Sequence, residues 1–449
     1  MPGALLADGA AASLTDPGHS FPSLHLPLAA VGSLPPTFKS SPHATHSFCI
    51  LHYAFSICLA QQRCAKQKFI YPYIKTENLE TLLIKGGERV TEFSLKTKIF
   101  SGAGSVAQLK TLQSQKLLLV ADPFFVKNGT AQHIFALSGA THTALFDKVA
   151  PDPSVELVAE GVALVRAFQP DTLVALGGGS AMDCAKAMAY FAGGDIKLVM
   201  IPTTSGSGSE VTDFAVLTHG QTKHPLVDQK LLPDVAILDS DLLKSLPKTL
   251  IADAGFDVLG HALEAFVATG ANAFTDALAK EAFCTALALL PGSFAGDKTV
   301  RGQIHQAATM AGIAFSQAGL GLCHAMAHAL GAAYHIPHGR LIAILLPAVI
   351  DCNVHASAGK YALLSRAAGL PGASDTLAVR SLKNALQGLR NRLNMPPTLK
   401  AAGVNVRQLW YDKDRIIAAA VADPCCATNP MKVEPFMAAK VLEAVTGRE

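Results

Sequence analysis

The chain has 449 residues, half of them hydrophobic and 16% charged, with a formal net charge of +3. That length exceeds one small core and predicts two domains, while the apolar content excludes disorder over most of it. The small charge and the absence of any Lys/Arg run interleaved with aromatics exclude a nucleic-acid surface. No apolar run reaches the roughly 20 residues that span a bilayer, so no membrane partner is expected.

Residues 1–89 are rich in Pro, Ser and His, and their apolar residues keep no steady period. Lys85-Gly86-Gly87-Glu88 can be written AAA GGA GGT GAA, which contains a bacterial ribosome-binding sequence, and Val90 can be written GTG, an alternative start codon. The expectation is initiation at Val90, with residues 1–89 a non-native extension. A targeting or encapsulation segment and a disordered tail are the alternatives. Regular alternation begins at Thr91-Glu92-Phe93-Ser94-Leu95.

From Val90 to about Pro247 short apolar runs alternate with helical stretches. Lys116 to Val120, Thr172 to Leu176, Lys197 to Ile201 and Asp234 to Leu238 read as buried strands. The pattern predicts an α/β domain over 90–247 with a doubly wound, mostly parallel sheet. After Pro247 strand signals fade. Asp257 to Val267, Phe274 to Leu290, Thr299 to Ala318 and Ala373 to Leu393 are rich in helix formers, so 248–449 reads as an all-helical domain.

Gly177-Gly178-Gly179-Ser180 follows the run TLVAL and opens a helical stretch from Ala181 to Phe191. Glycines let the backbone approach a pyrophosphate, and the first helical N–H groups can donate to it. The loop Pro202 to Glu210 follows its own strand with a density of hydroxyls and small residues that suits an anionic or sugar-bearing ligand. Asp122, ending the first buried strand, can accept from a ribose 2′-OH and repel a 2′-phosphate.

Asp257 and His261 are four apart in a helical segment and share one face. His324 and His328 repeat that spacing, and His335 and His338 flank Ile336-Pro337. Imidazole with carboxylate suits Fe(II) or Zn(II), and the nine cysteines, Cys425 and Cys426 adjacent among them, form no structural thiolate cluster. They fit reduced thiols in a cytoplasmic protein. Spacing leaves open which of the four histidines bind. Glu264, three residues after His261, allows a rival reading as the general base of a metal-dependent hydrolase.

The motifs GGGSAMDCAK, IPTTSGSGSEVT, GFDVLGHALEAF and GLGLCHAMAHALGAAYHIPHG make the region from Val90 onward resemble the iron-containing alcohol dehydrogenases. TEFSLKTKIFSGAGSV and TVRGQIHQAATMAGIAFSQAGLGL are similar to the branch that works in propanediol-utilisation microcompartments. The resemblance implies interconversion of short aldehydes and primary alcohols, propanal and 1-propanol foremost, with NAD and Fe(2+), Zn(2+) being the alternative ion. It implies metal ligands at Asp257, His261, His324 and His338, and a proton relay at His328. Asp122 matches the position that favours NAD over NADP. Gly178, Gly179, Ser180, Thr203, Thr204 and Lys223 match dinucleotide contacts, and Phe315 matches a residue of the substrate pocket. Asp183 and Lys186 belong to the same glycine-loop motif. Partners would be shell or lumen proteins of a microcompartment, and a homo-oligomer is expected. Ala254 and Gly260 depart from the family's usual Thr, Arg340 from a small or aliphatic residue, and Met431 from an Arg. A zinc polyol dehydrogenase and an inactive microcompartment partner are the other readings.

Overall fold

A computed structural model describes residues 90–220 and 222–447, so the expectations for residues 1–89 lie outside the described residues. The first part runs β1 (Lys98–Ser101), β2 (Lys116–Ala121), α1 (Pro123–Lys127), α2 (Thr130–Ser138), β3 (His142–Phe146), α3 (Val155–Phe168), β4 (Thr172–Gly177) and α4 (Gly179–Ala192). It continues through β5 (Lys197–Pro202), β6 (Phe214–His219), β7 (Thr222–Val227) and β8 (Val235–Leu238). Six strands form one sheet in the order β1-β8-β5-β4-β2-β3 with every pair parallel, while β6 and β7 form a separate antiparallel hairpin.

The four strands expected from apolar runs are the four interior ones. Each is buried on both faces, which demands an unbroken apolar run. The two edge strands and the hairpin were not anticipated. β1 (KIFS) and β3 (HTALF) keep exposed residues and lack that signature. Thr91 to Leu95, where alternation begins, is not a strand. It straps onto the helical part instead. The Phe93 ring stacks on Phe274 at 5.1 Å, and the Ser94 backbone exchanges two hydrogen bonds with the Gln317 side chain at 3.0 and 3.1 Å.

Alternate residues of the strands feed two cores. Leu118, Val120, Leu173 and Ala175 pack with α3 and α4, whereas Leu117, Leu119, Val174 and Leu176 pack on the opposite face with α2. From β2 the chain steps to β3 on one side, and from β4 to β5 on the other. The order therefore reverses between β2 and β4, and the crevice at their carboxyl ends is the usual ligand position of such sheets.

The second part is helical: α5 (Lys248–Val267), α6 (Ala273–Ala295), α7 (Arg301–Ala318), α8 (Leu322–Tyr334), α9 (His338–Ala367), α10 (Asp375–Arg392), α11 (Val406–Val421) and α12 (Pro435–Thr446). α5 is buried along nearly all of its length after Ile251. A buried helix carrying Asp257, His261 and Glu264 must give those groups partners, which singles it out as the seat of chemistry. α9 is long and apolar enough by composition to cross a membrane, yet it is mostly buried within the protein, a core helix of this part. The six cysteines among the described residues are all free.

Candidate active site

The glycine turn joins β4 to α4 at the crevice. A Cβ on Gly177 would lie 2.5 Å from that of Ala181, and one on Gly178 would lie 3.2 Å from Thr204 Oγ1, so the turn closes only without side chains there. The hydroxyl loop lies directly against it: Thr203 N donates to Gly177 O at 2.9 Å, and a Cβ on Gly179 would meet Ser207 at 3.2 Å. The N-cap residue of α4 is Gly178, which offers no side-chain cap, so the helix entrance relies on other acceptors.

Asp122 stands beside this turn, its N–H donating to Leu176 O at 3.2 Å and its carboxylate accepting from Phe124 N at 2.8 Å as the N-cap of α1. Ser180 Oγ accepts from Asp152 N at 3.3 Å, and Lys223 on the hairpin pairs with Asp152 at 2.6 Å. Asp122, Gly178, Gly179, Ser180, Thr203, Thr204 and Lys223 thus ring one end of the sheet through a continuous set of contacts. Asp183 and Lys186, one turn further along α4, face inward. The buried Lys186 ammonium donates to Ser209 Oγ, Thr212 and Phe214 O, and Asp183 accepts from Ser209 and Val216 N. They tie the hydroxyl loop to α4, a structural task; burial lowers Lys186 to about 8 even with Asp183 beside it.

In the helical part, three imidazoles from three helices converge on one carboxylate oxygen. Asp257 Oδ1 lies 3.8 Å from His261 Nε2, 3.8 Å from His324 Nε2 and 3.4 Å from His338 Nε2. Donors each about 2.1 Å from a tetrahedral ion lie about 3.4 Å apart, close to these separations from Asp257 Oδ1, and Asp257, His261 and His324 offer ligand atoms that all lie within 4.8 Å of one another. Asp257 Oδ1 and His324 Nε2 are both buried without a hydrogen-bond partner, an arrangement that is costly unless an ion takes those lone pairs. Burial opposes the Asp257 carboxylate, but His261 and His338 outweigh it and hold the group well below the usual carboxylate range. Burial drives His261 down to about 4, leaving its ring neutral and ligand-competent. Burial also opposes charge on His324, yet the Asp257 and Glu264 carboxylates prevail and raise it to about 9, so a cation binding there would displace the Nε2 proton to reach the lone pair.

Of the four histidines the sequence left in play, His335 takes no part: it ends α8 in the left-handed region, exposed. His328 stacks on His338 at 5.2 Å, and its Nδ1 meets Asp423 at 2.8 Å. Phe315 stacks on His261 at 4.3 Å and forms an apolar wall beside the imidazole cluster. Arg340, which stands beside His338 where the family has a small or aliphatic residue, is held by Asp253 through bonds of 3.2 and 2.9 Å. Gly260 has a packing reason, since a Cβ there would lie 2.5 Å from Ile342 Cγ2 and 3.4 Å from His324. Asp423 and Asp253 were not singled out from sequence. Each meets its partner across a long chain separation, with no local motif to mark it.

Glu264 is not a general base. Its carboxylate is buried and accepts from Gly321 N, Cys323 N and His324 N, and it bonds His324 Nδ1 at 2.6 Å. It faces the ring nitrogen turned away from Asp257, so the hydrolase reading has no base at the ion.

The profile of the iron-containing alcohol dehydrogenases matches residues 96–240, and that of the Fe-containing alcohol dehydrogenase family, C-terminal, matches 251–445. The chain is 39% identical to an NADPH-dependent butanol dehydrogenase of Clostridium saccharobutylicum, covering 79% of this chain and 97% of that one. It is equally 39% identical to the 1-propanol dehydrogenase PduQ of Citrobacter freundii, over 78% of this chain and 98% of that one. Among solved structures, an iron-containing alcohol dehydrogenase from Thermococcus thioreducens superposes with a TM-score of 0.74 at 33% identity, covering 80% of this chain and all of that one. A sulfoacetaldehyde reductase from Bifidobacterium kashiwanohense in complex with NAD+ does so at 0.74 and 26%, over 81% of this chain and all of that one. With both halves matched and whole-length relatives at this identity, the chain belongs to the iron-containing alcohol dehydrogenase family.

Proposed function

We propose that this protein interconverts short aldehydes and primary alcohols, propanal and 1-propanol foremost, using NAD(H) and a ferrous ion. The observation that carries this reading is the convergence of three Nε2 atoms on Asp257 Oδ1, in a chain whose parallel sheet also carries a glycine turn at a helix entrance. Asp257, His261, His324 and His338 would hold the ion, Zn(2+) being the alternative occupant. When bound, it supplies a Lewis acid for the carbonyl or alkoxide oxygen. The domain division of 90–247 and 248–449 is part of the proposal. So is assignment of the pyrophosphate to Gly178, Gly179, Ser180, Thr203 and Thr204, with Lys223 at the rim.

The chain's own residues do the rest. Phe315 walls off the substrate on the His261 side and keeps water from the reacting carbon. His328 spends Nδ1 on Asp423, which leaves Nε2 to pass a proton between the cleft and solvent; its side chain is 34% exposed. Replacement of His328 by Ala is expected to lower kcat by about a hundredfold, the lower end of the usual range for a general acid–base group. An added imidazole buffer should restore part of it, and a variant with undiminished kcat would remove His328 from the reaction.

The likeness to PduQ supports 1-propanol as product and a setting among microcompartment proteins, while the equal likeness to a butanol dehydrogenase keeps the C4 aldehyde as the competing substrate. Asp122 supports NAD over NADP. Two like charges about 4 Å apart repel by about 1–4 kcal/mol between water and a protein surface. Asp122→Gly should therefore shift the NAD-to-NADP ratio of kcat/KM about tenfold or more toward NADP, measured as aldehyde-dependent oxidation of each reduced cofactor. The test of the whole reading is propanal-dependent NADH oxidation after anaerobic iron loading. No turnover with any C2 to C4 aldehyde, on protein carrying one ion per chain, would reject it.

A further inference from the structure

Resting on the metal reading above, we infer that Glu264 is a positioning residue that turns the His324 ring toward the ion and sets the spacing of α5 and α8, two of the three helices that bear the proposed ligands. α8 begins at Gly321, a residue with no side chain to cap the helix, and His324 lies in its first turn. The unpaired N–H groups there are served from elsewhere. Glu264 Oε1 accepts from Cys323 N at 2.7 Å, and Oε2 accepts from Gly321 N at 3.0 Å and His324 N at 3.3 Å. Asn429 Oδ1 accepts from Leu322 N at 3.1 Å. Glu264 belongs to α5, two turns from Asp257 and one from His261, so its carboxylate pins the start of α8 to the helix holding the first ligand pair.

The fourth contact distinguishes Glu264 from an ordinary cap. His324 Nδ1 lies 2.6 Å from Glu264 Oε2. Three backbone N–H groups already use this carboxylate as an acceptor, and the helix N-terminus favours an acceptor there. Nδ1 must then carry the hydrogen, which leaves the Nε2 lone pair to the ion. That nitrogen is buried without a hydrogen-bond partner, 3.8 Å from Asp257 Oδ1. The ring is also stacked on His261 at 4.5 Å and 14°, so its plane is set on one side by packing and on its edge by Glu264.

The test compares Glu264→Gln with Asn429→Ala by chelator competition for Zn(2+), alongside thermal unfolding of the metal-free proteins. Glu264→Gln keeps the size of the group but loses the anionic acceptor, and its zinc affinity is expected to fall ten- to a hundredfold, as is usual when the partner of a metal-bound histidine is removed. Asn429→Ala removes a cap from the same helix without touching His324. It should lower the unfolding temperature and leave zinc affinity within about threefold of wild type. Equal affinity in Glu264→Gln, or an equal loss in both variants, overturns the inference. Should Glu264→Gln not fold, ¹⁵N-histidine spectra of the zinc-loaded wild-type protein decide. His324, assigned by comparison with His324→Gln, must show a protonated Nδ1, and coordination through Nδ1 overturns the inference. Failure of the wild-type protein to bind any divalent ion would instead defeat the metal reading itself.

Discussion

Asp257→Asn is expected to leave the protein folded, able to bind NADH, and essentially without turnover. Asp257 is the only anionic member of the ligand set, and its Oδ1 is the point on which His261, His324 and His338 converge. An amide supplies a weaker, neutral donor, while the three imidazoles stay in place. Loss of the ion removes several kcal/mol of stabilisation of the developing oxyanion, about a thousandfold or more in kcat/KM. Metal content after desalting and the propanal reduction rate measure the two effects, and the change in NADH fluorescence on binding measures the third. Those readouts separate the halves of the site: the glycine turn and Asp122 stand on β2 and β4, away from α5. A variant that keeps one ion per chain and a tenth of the wild-type rate would sink the assignment of Asp257 as a ligand.

Gly339→Ala should also be damaging, although Gly339 is in no proposed ligand set. A Cβ there would overlap the carbonyl oxygen of Asp253 and lie 2.6 Å from its carbon. The obstacle is backbone, which cannot rotate away as a side chain can, so the start of α9 must lift from α5. His338 is the first residue of α9 and Asp253 is one helical turn before Asp257, so the lift falls directly on the fourth ligand. The Asp253–Arg340 pair binds the same two helix segments, at 2.9 Å, and would be stretched with it. Overpacking of this kind costs about 1–3 kcal/mol, and zinc affinity should drop at least tenfold. Gly359→Ala is the matched control in the same helix, with nothing within 4 Å of the added carbon. It should be neutral or stabilising by about 1 kcal/mol through helix propensity. Chemical denaturation and zinc titration check both variants, and equal behaviour of the two would refute the close-packing argument.

These two variants mark where the sequence was legible and where it was not. Asp257 and His261 could be paired because four residues on a buried helix fix one face, a purely local relation. The four interior strands were readable for the same kind of reason, since burial on both faces writes an apolar run into the chain. β1, β3 and the β6–β7 hairpin carry no such mark, because an exposed face tolerates Lys, His and Thr. Gly339 closes one of the family motifs but carries no local mark of its packing role. Nothing local announces that the carbonyl of Asp253, 86 positions earlier, occupies the space a methyl group would need.

From sequence alone came the class of the two halves, the glycine turn after a buried strand, and the residue types that could hold an ion, because periodicity and side-chain chemistry are local properties. Which histidines meet Asp257, why Glu264 serves His324 rather than water, and how Asp423 reaches His328 were decided only by tertiary packing. Each depends on distances between segments far apart in the chain, and those are set by how helices and strands bury their apolar faces together.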